Sequence, residues 1–147
     1  GKKLDSYNIS KLINLSEDHS VSELIDNCLA KNKKKTITIL NENNFVTEDC
    51  ILITRTFLIK LKKILILSSE FENNNNIDLT ISNARPPIFW KDKEIVKQQI
   101  LNWGSENIKK LIYKISEIEL LIKKNMQNSV NLIVDFILEQ LNSKTNN

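Results

Sequence analysis

At 147 residues the chain can build one domain with a real core, and its 41% hydrophobic and 27% charged residues exclude collagen-like and intrinsically disordered classes. A formal charge of +3 is far from the concentrated basic stripe of a dedicated nucleic-acid binder. Only two Gly and two Pro leave few residues for the tight turns of a sheet, so the expected fold class is all-α, a bundle of about five to seven helices.

In chain order, residues 1–19 are poorly periodic, with one or two helical turns expected between Ser10 and Leu15. Ser20 and Glu23 have capping-box spacing, and Val21, Leu24, Ile25, Cys28 and Leu29 share one face, which predicts a helix over about 21–30. The β-branched run Thr36-Ile37-Thr38-Ile39 suits a strand locally, but no partner strand is evident, so 33–43 is expected to be helical. Thr47, followed by Glu48 and Asp49, reads as the N-cap of a long central helix reaching about Glu70, with apolar residues around most of its circumference.

Asn73 to Asn76 break that pattern, Ile77 to Asn83 can form a brief helix, and Arg85-Pro86-Pro87 is expected to be a stiff, exposed elbow. An amphipathic helix should follow from about Phe89 to Trp103, with Gly104 as its left-handed stop and Ser105 capping the next helix. Over 106–124, Ile108, Leu111, Ile112, Ile115, Ile118 and Ile122 repeat at three and four, and Glu119 and Lys123 have i,i+4 spacing for a pair. Val130, Ile133, Val134, Ile137, Leu138 and Leu141 predict a last helix after an Asn/Ser cap, with a frayed polar tail from Ser143.

No Gly-rich phosphate loop, HExxH or nucleophile elbow is present, and His19 is expected in a polar loop beside Glu17 and Asp18 without a catalytic partner. No catalytic, cofactor-binding or metal-ligating residue is therefore expected. Cys28 and Cys50 lack metal-ligand spacing and are expected to be reduced and buried. The longest apolar zone, Cys50 to Leu67, is interrupted by Arg55, Lys60, Lys62 and Lys63, so no membrane association is expected and the cytoplasm is the expected location.

Three clusters remain as candidate sites. Lys31, Lys33, Lys34 and Lys35 form the densest basic run, either a patch for phosphate or an acidic partner or the neutralisation of a helix C-terminus. Phe89 and Trp90 beside the Arg85-Pro86-Pro87 elbow could anchor an interface or plug the bundle's own end. Glu119 and Lys123 read as a surface ion pair contributing a few tenths of a kcal/mol, with a functional role as the alternative.

The string Arg85-Pro86-Pro87-Ile88-Phe89-Trp90-Lys91, then Trp103 closing a helix, then Glu119-Leu120-Leu121-Ile122-Lys123, resembles the C-terminal region of the bacterial DNA polymerase III delta subunit. The layout from the Leu24-Ile25-Asp26 helix through the long central helix is also similar, and the likeness covers nearly the whole chain but less than half of a complete delta subunit. The Lys33-Lys34-Lys35 run and the four-Asn linker depart from the family pattern.

The resemblance implies that 1–19 end a preceding AAA+ lid, that 20–142 form the helical collar by which clamp-loader subunits assemble, and that 143–147 are a polar tail. It further implies a non-catalytic, cofactor-free subunit of the DNA polymerase III holoenzyme, a DNA-directed DNA polymerase, within the clamp-loader complex that loads the beta sliding clamp onto DNA during replication. Its partners would be the gamma/tau and delta-prime subunits; the beta clamp would be met only by an N-terminal domain outside this chain, and DNA indirectly at most. A small basic helical nucleic-acid-binding module using Lys31 to Lys35 is the alternative, and an enzyme completed at an oligomer interface is a third reading for which no residue argues.

Overall fold

Apolar residues recurring at three and four positions can be buried together only on one face of a helix. The computed structural model, which describes residues 19–143, arranges such faces as an all-α bundle. Among the described residues there are six helices and no strand: α1 over 19–29, α2 over Lys33–Asn43, α3 over Cys50–Asn74, α4 over Ile77–Ser82, α5 over Lys93–Lys124 and α6 over Ser129–Asn142. Short 3₁₀ turns at Thr47–Asp49, Trp90–Asp92 and Met126–Asn128 lead into α3, α5 and α6. The turns expected at Ser10 to Leu15 and the tail beyond Ser143 lie outside the described residues.

α3 and α5 run antiparallel, since Glu72 near the end of α3 meets Ser105 while Arg55 near its start meets Glu119. Between them and α6 lies the core, where Phe57 of α3 packs edge-on against Phe136 of α6 at 5.3 Å between ring centroids. α1 is the most enclosed element: Leu24, Ile25, Cys28 and Leu29 are fully buried, and no residue from 20 to 30 is exposed. Lys60 of α3 fixes it from one side through Asp26 at 2.9 Å.

α2 is helical despite its β-branched run. Thr36 and Thr38 donate their hydroxyls to the carbonyls of Asn32 and Lys34, four residues earlier, at 2.8 and 2.9 Å, a bond that lets threonine sit on a helix. Burial of Thr36 and Ile39 against the core supplies what local propensity does not. The Asn-rich linker is an ordered turn. Asn75 takes the left-handed conformation that Asn tolerates, and Asn76 accepts a bond from the Leu79 N–H at the start of α4.

Several expected caps are replaced. Ser20 lies inside α1 rather than at its cap, and His19 is helical rather than in a loop, with Nε2 3.3 Å from the Glu23 carboxylate. Thr47 opens a 3₁₀ turn instead of capping α3; Val46 holds the cap position and donates its N–H to Asp49 at 2.8 Å. Of the Asn/Ser pair expected to cap α6, Asn128 holds the cap position without a side-chain hydrogen bond, and the Ser129 hydroxyl donates to the Met126 carbonyl at 2.6 Å.

Within α5, Gly104 interrupts the helix at φ 72°, ψ 155°. The positive φ matches the expected stop, but this ψ lies in a region essentially reserved for glycine rather than in the left-handed helical well. Ser105 does not cap the following segment with its own side chain. Its N–H and hydroxyl both donate to the Glu72 carboxylate, at 2.8 and 2.6 Å, so α3 supplies the cap across the interface.

Gly104→Ala should therefore lower stability by about 1–3 kcal/mol, seen as a reduced denaturant midpoint with an unchanged slope. The Ser105 hydroxyl, and then its N–H, hold the Glu72 carboxyl below the usual carboxylate range. A carboxyl with a lowered folded-state pKa contributes stability above the unfolded value of roughly 4.3, and that contribution disappears as pH falls through the folded value. Glu72→Gln should cost about 0.5–1 kcal/mol at pH 7, the range of a lost cap at an exposed position. The gap between wild type and variant in thermal unfolding should stay constant from neutral pH to about 5 and close below about 4.

Candidate functional site

After α4 the chain turns through buried Ala84 into the elbow, where the Arg85–Pro86 peptide is cis. Arg85 folds back, its Nη1 donating to the Ala84 carbonyl at 2.8 Å. Pro86 and Pro87 are exposed and Ile88 packs against the core, so the next two side chains are carried outward on a stiff base. Phe89 and Trp90 are 58% and 69% exposed. Their ring centroids are 6.0 Å apart, and the Lys91 ammonium lies 5.5 Å from the Trp90 ring. Of the two roles open to these aromatics, plugging the bundle's own end is not the one adopted.

Beneath the elbow is a groove of about 390 Å³. It is lined by Ile66 and Leu67 of α3, Pro87 to Phe89 of the elbow and Val96 of α5, with the Lys60–Asp26 pair, Lys63, Arg85, Glu70 and Asp92 as its charged groups. The combination of apolar and charged lining groups can hold another protein segment.

The lysine run is divided by the fold. Lys31, at a positive φ of 59° after α1, donates to the Ser143 carbonyl at 2.8 Å and its hydroxyl at 3.0 Å, and sits 4.4 Å from the Trp103 ring. Desolvation pulls its pKa down. It is a tie between α1, α5 and α6 rather than part of an open patch. Lys33, Lys34 and Lys35 are exposed on the first turn of α2, Lys33 reaching the Asn142 side chain at 3.2 Å. None of the three has a carboxylate partner among the described residues.

Glu119 does not pair with Lys123. It lies on the flank of α5 that faces α3, where Arg55 Nε stands 3.5 Å from Oε2, while Lys123 points to solvent. At that distance, with Oε2 making no hydrogen bond, the contact is electrostatic attraction alone.

A feature absent from the expected sites is the outer face of α3, where Leu52, Ile59 and Ile66 are 37%, 57% and 63% exposed. Their seven-residue spacing was visible in the sequence, but the surplus of apolar residues in this helix hid which of them the core would leave outside. Ile66 belongs both to this row and to the elbow groove.

Among the described residues no three His, Cys, Asp or Glu side chains are grouped to hold a metal ion, and no helix is long and apolar enough to cross a membrane. Comparison of the chain with protein-family models, curated proteins and solved structures finds no match.

Cys28 and Cys50 are free and buried, as expected. Burial pushes the Cys28 thiol up to about 12, and burial together with Asp49 and Glu48 pushes Cys50 up to about 11. The thiolate is the reactive form, so neither is a poised nucleophile. At pH 8 iodoacetamide should modify the two cysteines only at the rate at which the chain opens. Full labelling is expected in denaturant, with mass spectrometry counting the adducts; rapid labelling of Cys28 in buffer would contradict its burial.

Proposed function

We propose that this chain is a non-catalytic assembly domain, corresponding to the collar of a clamp-loader delta-type subunit of DNA polymerase III. In that role it holds its subunit beside gamma/tau-type and delta-prime-type neighbours in the ring, so that ATP-driven motion elsewhere reaches the sliding clamp. The clamp itself would be engaged by a region outside this chain, in the cytoplasm of the cell.

The observation that carries this reading is the pair Phe89 and Trp90, held outward by the Pro86-Pro87 elbow next to a groove. Large rings carry much of the energy of protein interfaces because they bury wide apolar areas with few rotatable bonds. Their rigid base lowers the ordering cost of docking.

One observation favours a second reading. Three lysines on the first turn of α2, without carboxylate partners among the described residues, sit where the helix dipole is already positive, a setting that an anionic partner would relieve. Nucleic-acid binding through them would show affinity falling steeply with salt.

Gel filtration with light scattering, on the chain alone and mixed with gamma/tau- and delta-prime-type subunits, tests the assembly role. A stoichiometric hetero-oligomer is expected. Phe89→Ala and Trp90→Ala should each weaken it by about tenfold or more, near 1.4 kcal/mol, while shifting chain stability by less than about 0.5 kcal/mol because both rings are exposed. Absence of a complex, with partners that assemble among themselves, would overturn the proposal.

A further inference from the structure

The core face of α3 is complete: Cys50, Ile53, Phe57, Leu61 and Ile64 are buried against the other helices. Leu52, Ile59 and Ile66 stand on the opposite side and contribute nothing to that core. Seven residues fall only about 20° short of two full turns, so the three side chains form a nearly straight row about 21 Å long. Such a row is the geometry by which one helix packs along another at a shallow crossing angle.

We infer that this row is a docking seam for a helix of another protein, an amphipathic helix whose apolar stripe is bordered by acidic side chains. The inference rests on reading the chain as an assembly domain and names the chemistry of one partner. Charge selects the partner. Arg55, Lys62 and Lys63 border the row along its length, against Glu48 one turn before its start and Glu70 one turn past its end. Lys62 and Lys63 have no carboxylate partner among the described residues, and Arg55 is 63% exposed even while facing Glu119. Glutamates flanking the stripe of an incoming helix would meet these cations along the length of the seam, as charged flanks do in paired helices.

Other occupants fit less well. A second copy docked through the same row would bring Arg55, Lys62 and Lys63 of both chains together, which repulsion disfavours. A lipid surface requires a broad apolar face, whereas this row is one residue wide. The seam also has a defined end, because Ile66 continues into the groove below Phe89, where the partner helix would finish against the elbow.

The test uses the whole 147-residue chain and a fluorescein-labelled synthetic helix of about three heptads, apolar at its a and d positions with glutamate flanks, beside an otherwise identical peptide with lysine flanks. Fluorescence anisotropy at low salt should show the glutamate-flanked peptide binding about tenfold or more tightly than its counterpart, with the difference shrinking as salt rises. Ile59→Ser should reduce that binding about tenfold, and Lys62→Glu with Lys63→Glu should reverse the preference. Both variants change exposed positions, and thermal unfolding checks that they remain folded. Hydrogen exchange with the peptide bound should slow along α3.

Equal affinity for the two peptides, binding of neither, or binding indifferent to Ile59→Ser would overturn the inference. So would self-association of the chain that Ile59→Ser abolishes, or Ile59-dependent binding to phosphatidylserine vesicles without peptide binding. If the hetero-oligomer with gamma/tau- and delta-prime-type subunits forms but is untouched by Ile59→Ser and by the paired lysine reversal, the seam is wrong and the assembly role stands. If wild type forms no hetero-oligomer, the assembly role fails, and the peptide preference decides the seam by itself.

Discussion

At the C-terminal end of α1 the Asp26, Asn27 and Cys28 carbonyls keep backbone donors in Ala30, Asn32 and Lys31, whereas the carbonyl of buried Leu29 accepts from side chains. α5 provides the donors. Gln99 Nε2 donates to the Asp26 carbonyl at 2.9 Å, and Trp103 Nε1 and Asn102 Nδ2 both donate to the Leu29 carbonyl, at 2.7 and 3.3 Å. Much of the remaining architecture follows from this junction. It places Trp103 under the Lys31 ammonium, which in turn ties down the end of α6 through Ser143. It also fixes α5 immediately before Gly104, where the backbone departs from the helix and the Glu72 carboxylate supplies the next cap.

A consequence is a division between inside and outside that is sharper than the composition suggests. Polar side chains are used internally as donors and caps: Gln99 and Thr36 are buried and bonded, Glu72 reaches across from α3, and Lys60 holds Asp26. Large apolar side chains, by contrast, are left in solvent at several places, Tyr113 and Leu120 of α5 among them, and two of these places adjoin: the Phe89 and Trp90 elbow and the Leu52, Ile59, Ile66 row. Exposed apolar residues scattered singly are ordinary; rows and pairs on rigid elements that share a groove are the surfaces on which proteins assemble. The thiols are free and buried, and His19 lies 3.3 Å from the Glu23 carboxylate at the surface.

Period and composition were enough for the helical class and for most helix positions. α4, the central helix and the break at Gly104 fall close to where pattern and turn residues put them, because each is set by local stereochemistry. The burial of Cys28 and Cys50 was likewise readable from the faces they share. Caps were read less well. Ser20, Thr47, Ser105 and Ser129 each have the chemistry of a cap, yet which oxygen or N–H they meet depends on what lies next to the helix end.

What the sequence by itself determined was therefore the helices and the elbow, since both arise within short stretches of chain. Only the tertiary structure decided how those pieces face one another. It turned Glu119 toward Arg55 instead of Lys123, drew Lys31 out of the basic run onto Trp103 and Ser143, and left Phe89 and Trp90 outside. It also chose which apolar residues of α3 would stay uncovered. Periodicity gives the angle of a side chain about its own helix axis, but whether that angle points to core or solvent depends on neighbours distant in sequence.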